Sequence, residues 1–414
     1  MKNKTVLIIG GSIYSISNGI SALVIGTISS ISKANNGIDF SLIEFGRNEK
    51  EKKDEYDTRI LNGINIMDYK VRRIQIPFLI IIGLICSIVP GRIKKTLIKR
   101  NVILEEYNQS EVVVNISAGD SFSDIYGYKS FLSYFALNLI AILFKKPLIF
   151  FPQTIGPFNK TIGKILARFI LKKAQLIFTR ESYSTAIVKE LCGEETSVIE
   201  KVDMAFLMEP ELKDVIKETN QPVRIGLNIS GFLSFSPYGA GIVNNHDYLQ
   251  LMIDVVGLFI EKYGAEITLI PHDFALDDND VRACENILNS LSETQKKKVK
   301  MISGKKNGPQ IKGIIAGFDF FVGARLHACI AALSMAVPTV TIAYSHKFLG
   351  ILETLGLGRE MVCDPVKDSH NGMIEKILWV FENREGIHLS LTKKLPEITD
   401  SALSCGSILN ELFL

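Results

Sequence analysis

The sequence predicts an α/β protein made of two domains, each built around a parallel sheet. Short apolar runs alternate with longer segments of helical periodicity, a pattern typical of parallel β-α-β units. The pattern runs through the first half of the chain, is interrupted by a polar stretch, and then starts again. With 414 residues, of which 47% are hydrophobic, the chain has the length and apolar content for two ordinary cores.

The first half contains five apolar runs that we predict to be strands, separated by segments of helical period. These runs lie at residues 6–10, 40–45, 112–116, 148–151 and 176–179. Predicted helices follow at 129–144, 160–173 and 182–191. This half is predicted to form one parallel sheet covered by helices.

The second half repeats the alternation. We predict strands at 224–229, 267–271, 299–302, 318–322 and 339–343, with helices near 245–263, 278–291, 310–316, 326–335 and 347–355. The predicted organisation is an N-terminal domain over 1–208, a polar linker over 209–222, a C-terminal domain over 223–384, and a tail over 385–414 that packs back on the first domain. Two such halves predict a ligand site in a cleft beyond the carboxyl ends of the strands.

Charge, cysteines and the N-terminus exclude several classes of protein. The formal net charge of +3 is too small for a strong field that would recruit nucleic acid. The six cysteines are scattered without a CxxC pair, which favours a reduced, cytoplasmic protein without a zinc site. The apolar run after Lys4 is too short for a signal peptide.

Residues 76–89 form an uncharged apolar segment with cations on both sides. Fourteen residues are too few to cross a bilayer as a straight helix, since spanning needs about 20. One interpretation is a buried core helix. The other is a segment that contacts the inner membrane face, with Arg72 and Arg73 before it and a basic stretch after it meeting anionic head groups.

Three candidate site residues lie in the second half. Arg325 and His327 follow the predicted strand 318–322, at the start of a helix. A helix N-terminus favours an anion, Arg offers a planar fork for a phosphate or carboxylate, and His can move a proton near neutral pH. His272 comes directly after the predicted strand 267–271 and is expected to lie at the same edge of the sheet as Arg325 and His327. The alternative for each is a purely structural role.

Three more candidates follow strands of the first half. Arg180 comes directly after the predicted strand 176–179 and is a candidate anion ligand. Asp120 and Gln153 follow two other strands, where a carboxylate and an amide can bind sugar hydroxyls. A cap or turn role is the alternative. The acidic run from Asp277 to Asp280 is interpreted as the start of a helix, because it lacks the Gly and distal Glu of a calcium loop.

Six short motifs follow one another along the chain: Gly119-Asp120, Pro152-Gln153-Thr154-Ile155-Gly156-Pro157, Thr179-Arg180-Glu181-Ser182, Asp203-Met204-Ala205-Phe206-Leu207, Gly323-Ala324-Arg325-Leu326-His327, and Tyr344 with Lys347. In this order they resemble the motifs of the polysaccharide pyruvyl transferases. The resemblance covers most of the chain. It departs from the family at Ser117 and Ala118, where a glycine-rich turn is usual.

The resemblance implies two Rossmann-like domains facing a cleft, similar to the B-type glycosyltransferase fold. It also implies transfer of pyruvate from phosphoenolpyruvate, in the cytoplasm, to a sugar of a polysaccharide or lipid-linked oligosaccharide, where it forms a ketal. The two anionic groups of that donor match two arginines. His327 is the expected general acid, Arg325 and Arg180 the anion ligands, with Lys347 also at the donor. Asp120, Gln153 and His272 are assigned to the acceptor, and no cofactor or metal is expected.

Two alternatives remain open. One is a nucleotide-sugar glycosyltransferase of the same architecture. Such enzymes often bind the donor ribose with a Glu in the helix before a Gly-x-Pro strand start, and the corresponding position here is Ala331. The other is a non-enzymatic membrane-peripheral or lectin-like module, in which Arg180, Arg325 and His327 are structural.

Overall fold

The described residues form two compact units. A computed structural model of the chain describes residues 3–15, 17–46, 64–212, 221–235, 245–274, 279–343 and 346–414, with backbone only for 245–247 and 346–347. The first unit comprises Met1–Ser15, Leu23–Leu207 and Thr399–Leu414. The second comprises Ile16–Ala22 and Met208–Ile398.

The first unit contains a seven-stranded parallel sheet, counted over the described residues. Its strand order is β3-β2-β1-β4-β5-β6-β7. The strands are β1 (Lys4–Ile9), β2 (Ile38–Phe45), β3 (Ile66–Val71), β4 (Val112–Asn115), β5 (Leu148–Gln153), β6 (Leu176–Thr179) and β7 (Val198–Glu200). The central strands are continuous apolar runs because both faces of the sheet are covered, which buries every side chain of β4, β5 and β6.

Helices connect these strands and cover the sheet. They are α1 (Asn18–Ala34), α2 (Ile76–Ile88), α3 (Gly91–Lys99), α4 (Val102–Gln109), α5 (Tyr128–Leu143), α6 (Thr161–Leu171) and α7 (Ser182–Cys192). A cluster of edge-to-face and tilted rings formed by Phe122, Phe131, Phe150 and Phe158 fills the core beneath α5. The core therefore fixes the loops at the carboxyl ends of β4 and β5.

The second unit contains a six-stranded parallel sheet, again over the described residues. Its order is β10-β9-β8-β11-β12-β13. The strands are β8 (Arg224–Asn228), β9 (Glu266–Leu269), β10 (Val299–Met301), β11 (Phe320–Gly323), β12 (Thr339–Ile342) and β13 (Val362–Cys363). The helices are α8 (Gly231–Phe235), α9 (Asn245–Tyr263), α10 (Asp280–Ser290), α11 (Glu293–Lys296), α12 (Gly308–Ile315), α13 (Leu326–Leu333), α14 (His346–Thr354), α15 (His370–Glu382) and α16 (Arg384–Phe413).

The strand order of the second sheet reverses between β8 and β11, which pair side by side from Phe320↔Ile225 to Gly323↔Asn228. The connections leave such a pair of strands in opposite directions and open a crevice at their carboxyl ends. This crevice is where doubly wound sheets bind ligands. The residues that follow Asn228 and Gly323 are therefore the first place to look for a site.

The division of the chain differs from the sequence prediction at two places. Ile16–Ala22, predicted in the first domain, belongs to the second unit: Ser17 forms a β-bridge with Asp273, and the Asn18 amide donates to the Lys306 carbonyl at 3.2 Å. The second unit also extends to Ile398 rather than to residue 384. The predicted linker, 209–222, includes residues 213–220, which lie outside the described residues.

The last part of α16 belongs to the first unit and packs on α1. The Ser30 hydroxyl donates to the Ala402 carbonyl at 2.8 Å, and the Gly406 N–H donates to the Ser30 hydroxyl at 2.9 Å. A Cβ on Gly406 would lie 2.1 Å from the Ser30 carbonyl oxygen. Glycine is therefore required where the two helix backbones meet.

The apolar segment is neither fully buried nor long enough to span a bilayer. Residues 76–88 of it form α2, which buries Ile76, Leu79, Gly83 and Cys86 and exposes the other face. The buried-core interpretation is therefore wrong for half of the helix. No helix among the described residues has the combined length and apolar character that crossing a membrane requires.

Candidate active site

Arg325 lies at the crevice of the second sheet. It is the N-cap residue of α13, two residues after the end of β11, with extended backbone. Its N–H donates to Oδ1 of Asn228, the last residue of β8, at 2.8 Å. This bond joins the two strands on either side of the reversal. The start of α13 is therefore held at the point where the fold predicts a ligand.

Asp280 holds the Arg325 side chain. Its Oδ1 accepts from Nη2 of Arg325 at 2.7 Å and from Nε at 3.1 Å. The carboxylate is fully buried and also accepts the N–H groups of Gly231 at 2.8 Å, His272 at 3.1 Å and Asp273 at 2.9 Å. The guanidinium is thus fixed along one edge, while 15% of its side chain remains exposed. A fixed, partly exposed guanidinium is a suitable ligand for a phosphate or carboxylate.

His327 follows Arg325 on the first turn of α13, and its imidazole packs against Gly19 of α1. A Cβ on Gly19 would lie 2.3 Å from Nδ1 of His327. Both residues belong to the second unit. Any side chain at position 19 would displace the ring, so the glycine determines where the imidazole lies.

His272 is buried beside Arg325 and His327. Burial is the main reason that the pKa of His272 is lowered from 6.5 to about 3, and the neighbouring His327 and Arg325 contribute to the same shift. His272 is therefore neutral at physiological pH. The influence of both neighbours on this pKa shows that the three predicted residues of this unit form one cluster.

Sequence reasoning missed the residues that support this cluster. Asp280 was interpreted only as part of a helix start, and Asn279 does cap α10 by accepting the Val281 N–H at 2.9 Å. Nothing in the sequence indicated that the carboxylate of Asp280, the residue after Asn279, pairs with Arg325. Gly19 and Asn228 also gave no signal. Asp277 and Asp278 of the acidic run lie outside the described residues.

Arg180 directly follows β6 of the first unit, two strands away from the reversal between β1 and β4, and is 1% exposed. Its Nη1 donates to Asp203 Oδ2 at 2.6 Å, and its Nε contacts Thr154 Oγ1 at 3.0 Å and Glu181 Oε2 at 3.3 Å. Burial alone would lower the pKa of Arg180, but Asp203, Glu181 and Asp120 raise it. The guanidinium is therefore charged and held by buried carboxylates. Its predicted role at the donor stays a prediction.

Asp120 and Gln153 lie at the same edge of the first sheet. Asp120 Oδ2 accepts the Tyr126 hydroxyl at 2.8 Å. The Gln153 amide nitrogen donates to the Asn115 carbonyl at 2.8 Å and to its Oδ1 at 2.9 Å, while its buried Oε1 has no hydrogen-bond partner among the described residues. The predicted acceptor roles of both residues remain untested.

The loop before Asp120 adopts the backbone that a glycine-rich turn would provide. Ser117, Ala118 and Gly119 have φ values of 36°, 51° and 88°. Left-handed conformations are unfavourable for residues with a Cβ. The sequence departs from the family pattern here, but the backbone conformation that favours glycine is retained. Of the remaining predicted residues, Tyr344 and the side chain of Lys347 lie outside the described part of the chain.

Comparison with protein families identifies the chain. The model described as polysaccharide pyruvyl transferase matches residues 33–346, more than half of the sequence. The chain belongs to the polysaccharide pyruvyl transferase family. It is also 25% identical over 301 residues to the amylovoran biosynthesis protein AmsJ of Erwinia amylovora, covering 71% of each protein. The resemblance inferred from the motifs is confirmed, and the chain is a member of a transferase family.

Solved structures confirm the fold class. The UDP-GlcNAc 2-epimerase of Methanocaldococcus jannaschii matches with a TM-score of 0.61 at 16% identity, covering 98% of this chain and 99% of that one. The lipopolysaccharide outer core galactosyltransferase WaaB matches with a TM-score of 0.52 at 12% identity, covering 99% and 100%. At these identities the likeness shows only the fold, two parallel α/β units of the B-type glycosyltransferase kind.

Proposed function

We propose that this member of the family transfers the pyruvate unit of phosphoenolpyruvate to two hydroxyls of a saccharide, forming a ketal and releasing phosphate. The observation that carries the proposal is the cluster of Arg325, His327 and neutral His272 at the crevice of the second sheet. It combines a fixed cation with a proton-transferring group, and family membership supplies the reaction class.

Donor binding is assigned to Arg325 and the start of α13. Phosphoenolpyruvate carries a phosphate and a carboxylate, and a guanidinium binds either one in bidentate fashion. Asp280 holds Arg325 in one orientation, so little side-chain freedom is lost on binding. Arg180 and Lys347 are the proposed further ligands of the donor anions.

His327 is the proposed general acid. It donates a proton to the methylene carbon, which leaves positive charge on the adjacent carbon. One sugar hydroxyl attacks that carbon, the C–O bond to phosphate breaks, and a second hydroxyl closes the ring. Of the two hydroxyl protons released, one restores His327 and the other leaves with phosphate. A positioned acid of this kind contributes about 10²–10⁴-fold to the rate.

Acceptor binding is proposed for Asp120, Gln153 and His272. Asp120 is the group expected to orient or deprotonate the attacking hydroxyl. Gln153 offers a buried amide oxygen that could accept a hydrogen bond. We propose a saccharide or lipid-linked oligosaccharide as acceptor and a cytoplasmic location. The location is supported by the free state of all six cysteines.

The test is incubation with phosphoenolpyruvate and a panel of galactosides, mannosides and glucosaminides, with phosphate release and product mass as readouts. His327→Ala should reduce turnover by at least 100-fold and leave donor binding largely intact. His370→Ala is the matched control, because His370 pairs with Asp254 at a partly exposed position of the same unit. Unchanged turnover in His327→Ala would refute the assigned acid.

Ligand-induced stabilisation separates the proposal from its alternatives. Phosphoenolpyruvate should raise the melting temperature if it is the donor. A rise with nucleotide sugars alone would favour the glycosyltransferase alternative, and no rise with either would favour a non-enzymatic module. Every residue of α13 from Ala328 to Leu333 is buried and none is acidic, so the helix lacks the carboxylate expected for a ribose.

A further inference from the structure

The most unusual surface of the first unit is the outer face of α2. Its buried residues, Ile76, Leu79, Gly83 and Cys86, recur at intervals of three and four and pack towards α5. Phe78, Ile81, Ile85 and Ile88 recur at the same intervals two positions later and are exposed. A surface helix normally carries polar residues on its outer face. This helix is apolar on both faces, so only one of them is explained by the core.

The exposed apolar area continues on both sides of α2. Ile74 precedes the helix, and Ile93 of α3 follows it, and both are exposed. Contiguous apolar patches of this kind mark interaction sites on soluble proteins. We call this set of six exposed residues and the cations around it the α2–α3 surface.

The charged residues of this segment of the chain, from 72 to 104, are all positive. Arg72 and Arg73 lie before α2. Five more cations, Arg92, Lys94, Lys95, Lys99 and Arg100, follow on or directly after α3. The sequence has no Asp or Glu between positions 72 and 104. No ion pair joins any of these cations to a carboxylate within the part of the chain that the structure describes.

We propose that the α2–α3 surface docks on a lipid bilayer that contains anionic lipids. Apolar residues on one helix face bordered by Lys and Arg are the features of interfacial helices. Thirteen residues at 1.5 Å per residue make α2 about 20 Å long, short of the roughly 30 Å hydrocarbon core. The helix therefore lies in the plane of the interface, with the cations at the level of the head groups.

Charge complementarity favours a bilayer over a second copy of this chain. A two-fold dimer through this surface would place the same seven cations against each other, because both copies present the same patch. An anionic membrane instead neutralises them. The proposal does not depend on the proposed function, since vesicle binding requires neither phosphoenolpyruvate nor turnover.

The experiment is flotation of the purified full chain with vesicles of phosphatidylcholine alone and with 30% phosphatidylglycerol added. The chain should bind the anionic vesicles at least ten-fold better. The double variant Ile81→Glu/Ile88→Glu changes residues that are 55% and 82% exposed and should lose at least ten-fold in binding. Its matched control is Ile162→Glu/Ile165→Glu on α6 of the same unit, where the exposures are 62% and 61%. The control should bind as the unmodified chain does.

The electrostatic part has its own variant. Lys95→Glu/Lys99→Glu should reduce binding to anionic vesicles several-fold, whereas Lys172→Glu/Lys173→Glu, at exposed positions after α6, should not. The proposal would be overturned if the folded chain failed to bind the anionic vesicles. It would also be overturned if the two control variants lost as much vesicle binding as the test variants to which they are matched. Light scattering that shows a dimer dissociated by Ile81→Glu/Ile88→Glu would overturn it as well. Turnover of a water-soluble acceptor should be unchanged in that variant, so failure here is distinguishable from failure of the proposed reaction.

Discussion

Both sheets carry an arginine just past the end of a buried strand, yet the two arginines have different environments. Arg180, after β6, is 1% exposed and contacts two carboxylates and a threonine hydroxyl. Arg325, after β11, is 15% exposed, is held by Asp280, and lies 3.9 Å from Oδ2 of Asp273, beside two imidazoles. An arginine that follows a strand is thus compatible with a fully buried ion pair and with a partly exposed position beside imidazoles. The surroundings decide between them.

The largest difference should appear when each arginine is replaced by methionine. Arg180→Met leaves Asp203 and Glu181 buried without their cation, which should lower the free energy of unfolding by about 3–5 kcal/mol. Arg325→Met should lower it by less than about 2 kcal/mol, because Asp280 keeps three backbone N–H donors. Its main effect should be a higher KM for the donor.

Urea unfolding followed by circular dichroism measures the free energy of unfolding of each variant. Steady-state kinetics with phosphoenolpyruvate measure the KM for the donor. Equal losses of stability would remove the distinction between the two strand ends. A normal KM for Arg325→Met would remove Arg325 from the donor site.

The second comparison concerns how the imidazole is positioned. Gly19→Ala places a Cβ 2.3 Å from Nδ1 of His327, so the ring must move. A displacement of about 1 Å costs up to about 100-fold in rate, and we expect kcat to fall 10- to 100-fold with a smaller change in KM. Gly386→Ala is the control, since it also lies in the first turn of a helix and its Cβ would meet nothing within 4 Å. Equal kcat values for both variants would contradict the assigned packing.

The third prediction uses pH. The pKa of His272 is about 3 in the folded chain, below the value of about 6.5 expected when unfolded. The unfolded chain therefore binds the extra proton, so the stabilising contribution is complete above pH 6.5 and is lost as pH falls towards 3. The slope from this group is about 1.4 kcal/mol per pH unit. Denaturant unfolding at pH 7, 6 and 5 should show a steeper loss for the native sequence than for His272→Gln. Parallel curves would contradict the burial of a neutral imidazole.

The smallest effect concerns two strained turns. Ala118, in the first unit, and Ala336, in the second, have φ values of 51° and 56°. Ala118→Gly and Ala336→Gly should each raise the free energy of unfolding by up to about 1 kcal/mol, because relief of the left-handed strain exceeds the added entropy of the unfolded chain. Ala186→Gly, in the exposed part of α7, should lower it by about 1 kcal/mol. If the free energy of unfolding rises for the two turn variants and falls for Ala186→Gly in the same assay, the strain is confirmed. A change of the same sign in all three variants would exclude it.

The prediction of strands succeeded in the centre of each sheet and at one edge, β10, and failed at the other three edges. β6 was predicted with its observed ends, and β1, β4 and β12 within two residues at each end. Three edge strands, β3, β7 and β13, were missed. An edge strand has a neighbour on one side only and buries fewer side chains, as in β3, where only Val71 is buried. Such strands lack the apolar run from which the others were recognised.

The sequence by itself determined the repeated strand–helix pattern, the family, and the strand ends at which Arg325, His327, His272, Arg180 and Asp120 lie. Those follow from local periodicity and motif order, which a single chain displays directly. Only the tertiary structure decided that Asp280 holds Arg325, that Gly19 makes room for His327, and that α2 leaves one apolar face exposed. Burial and pairing depend on residues far apart in the chain, and no local pattern specifies which of them meet.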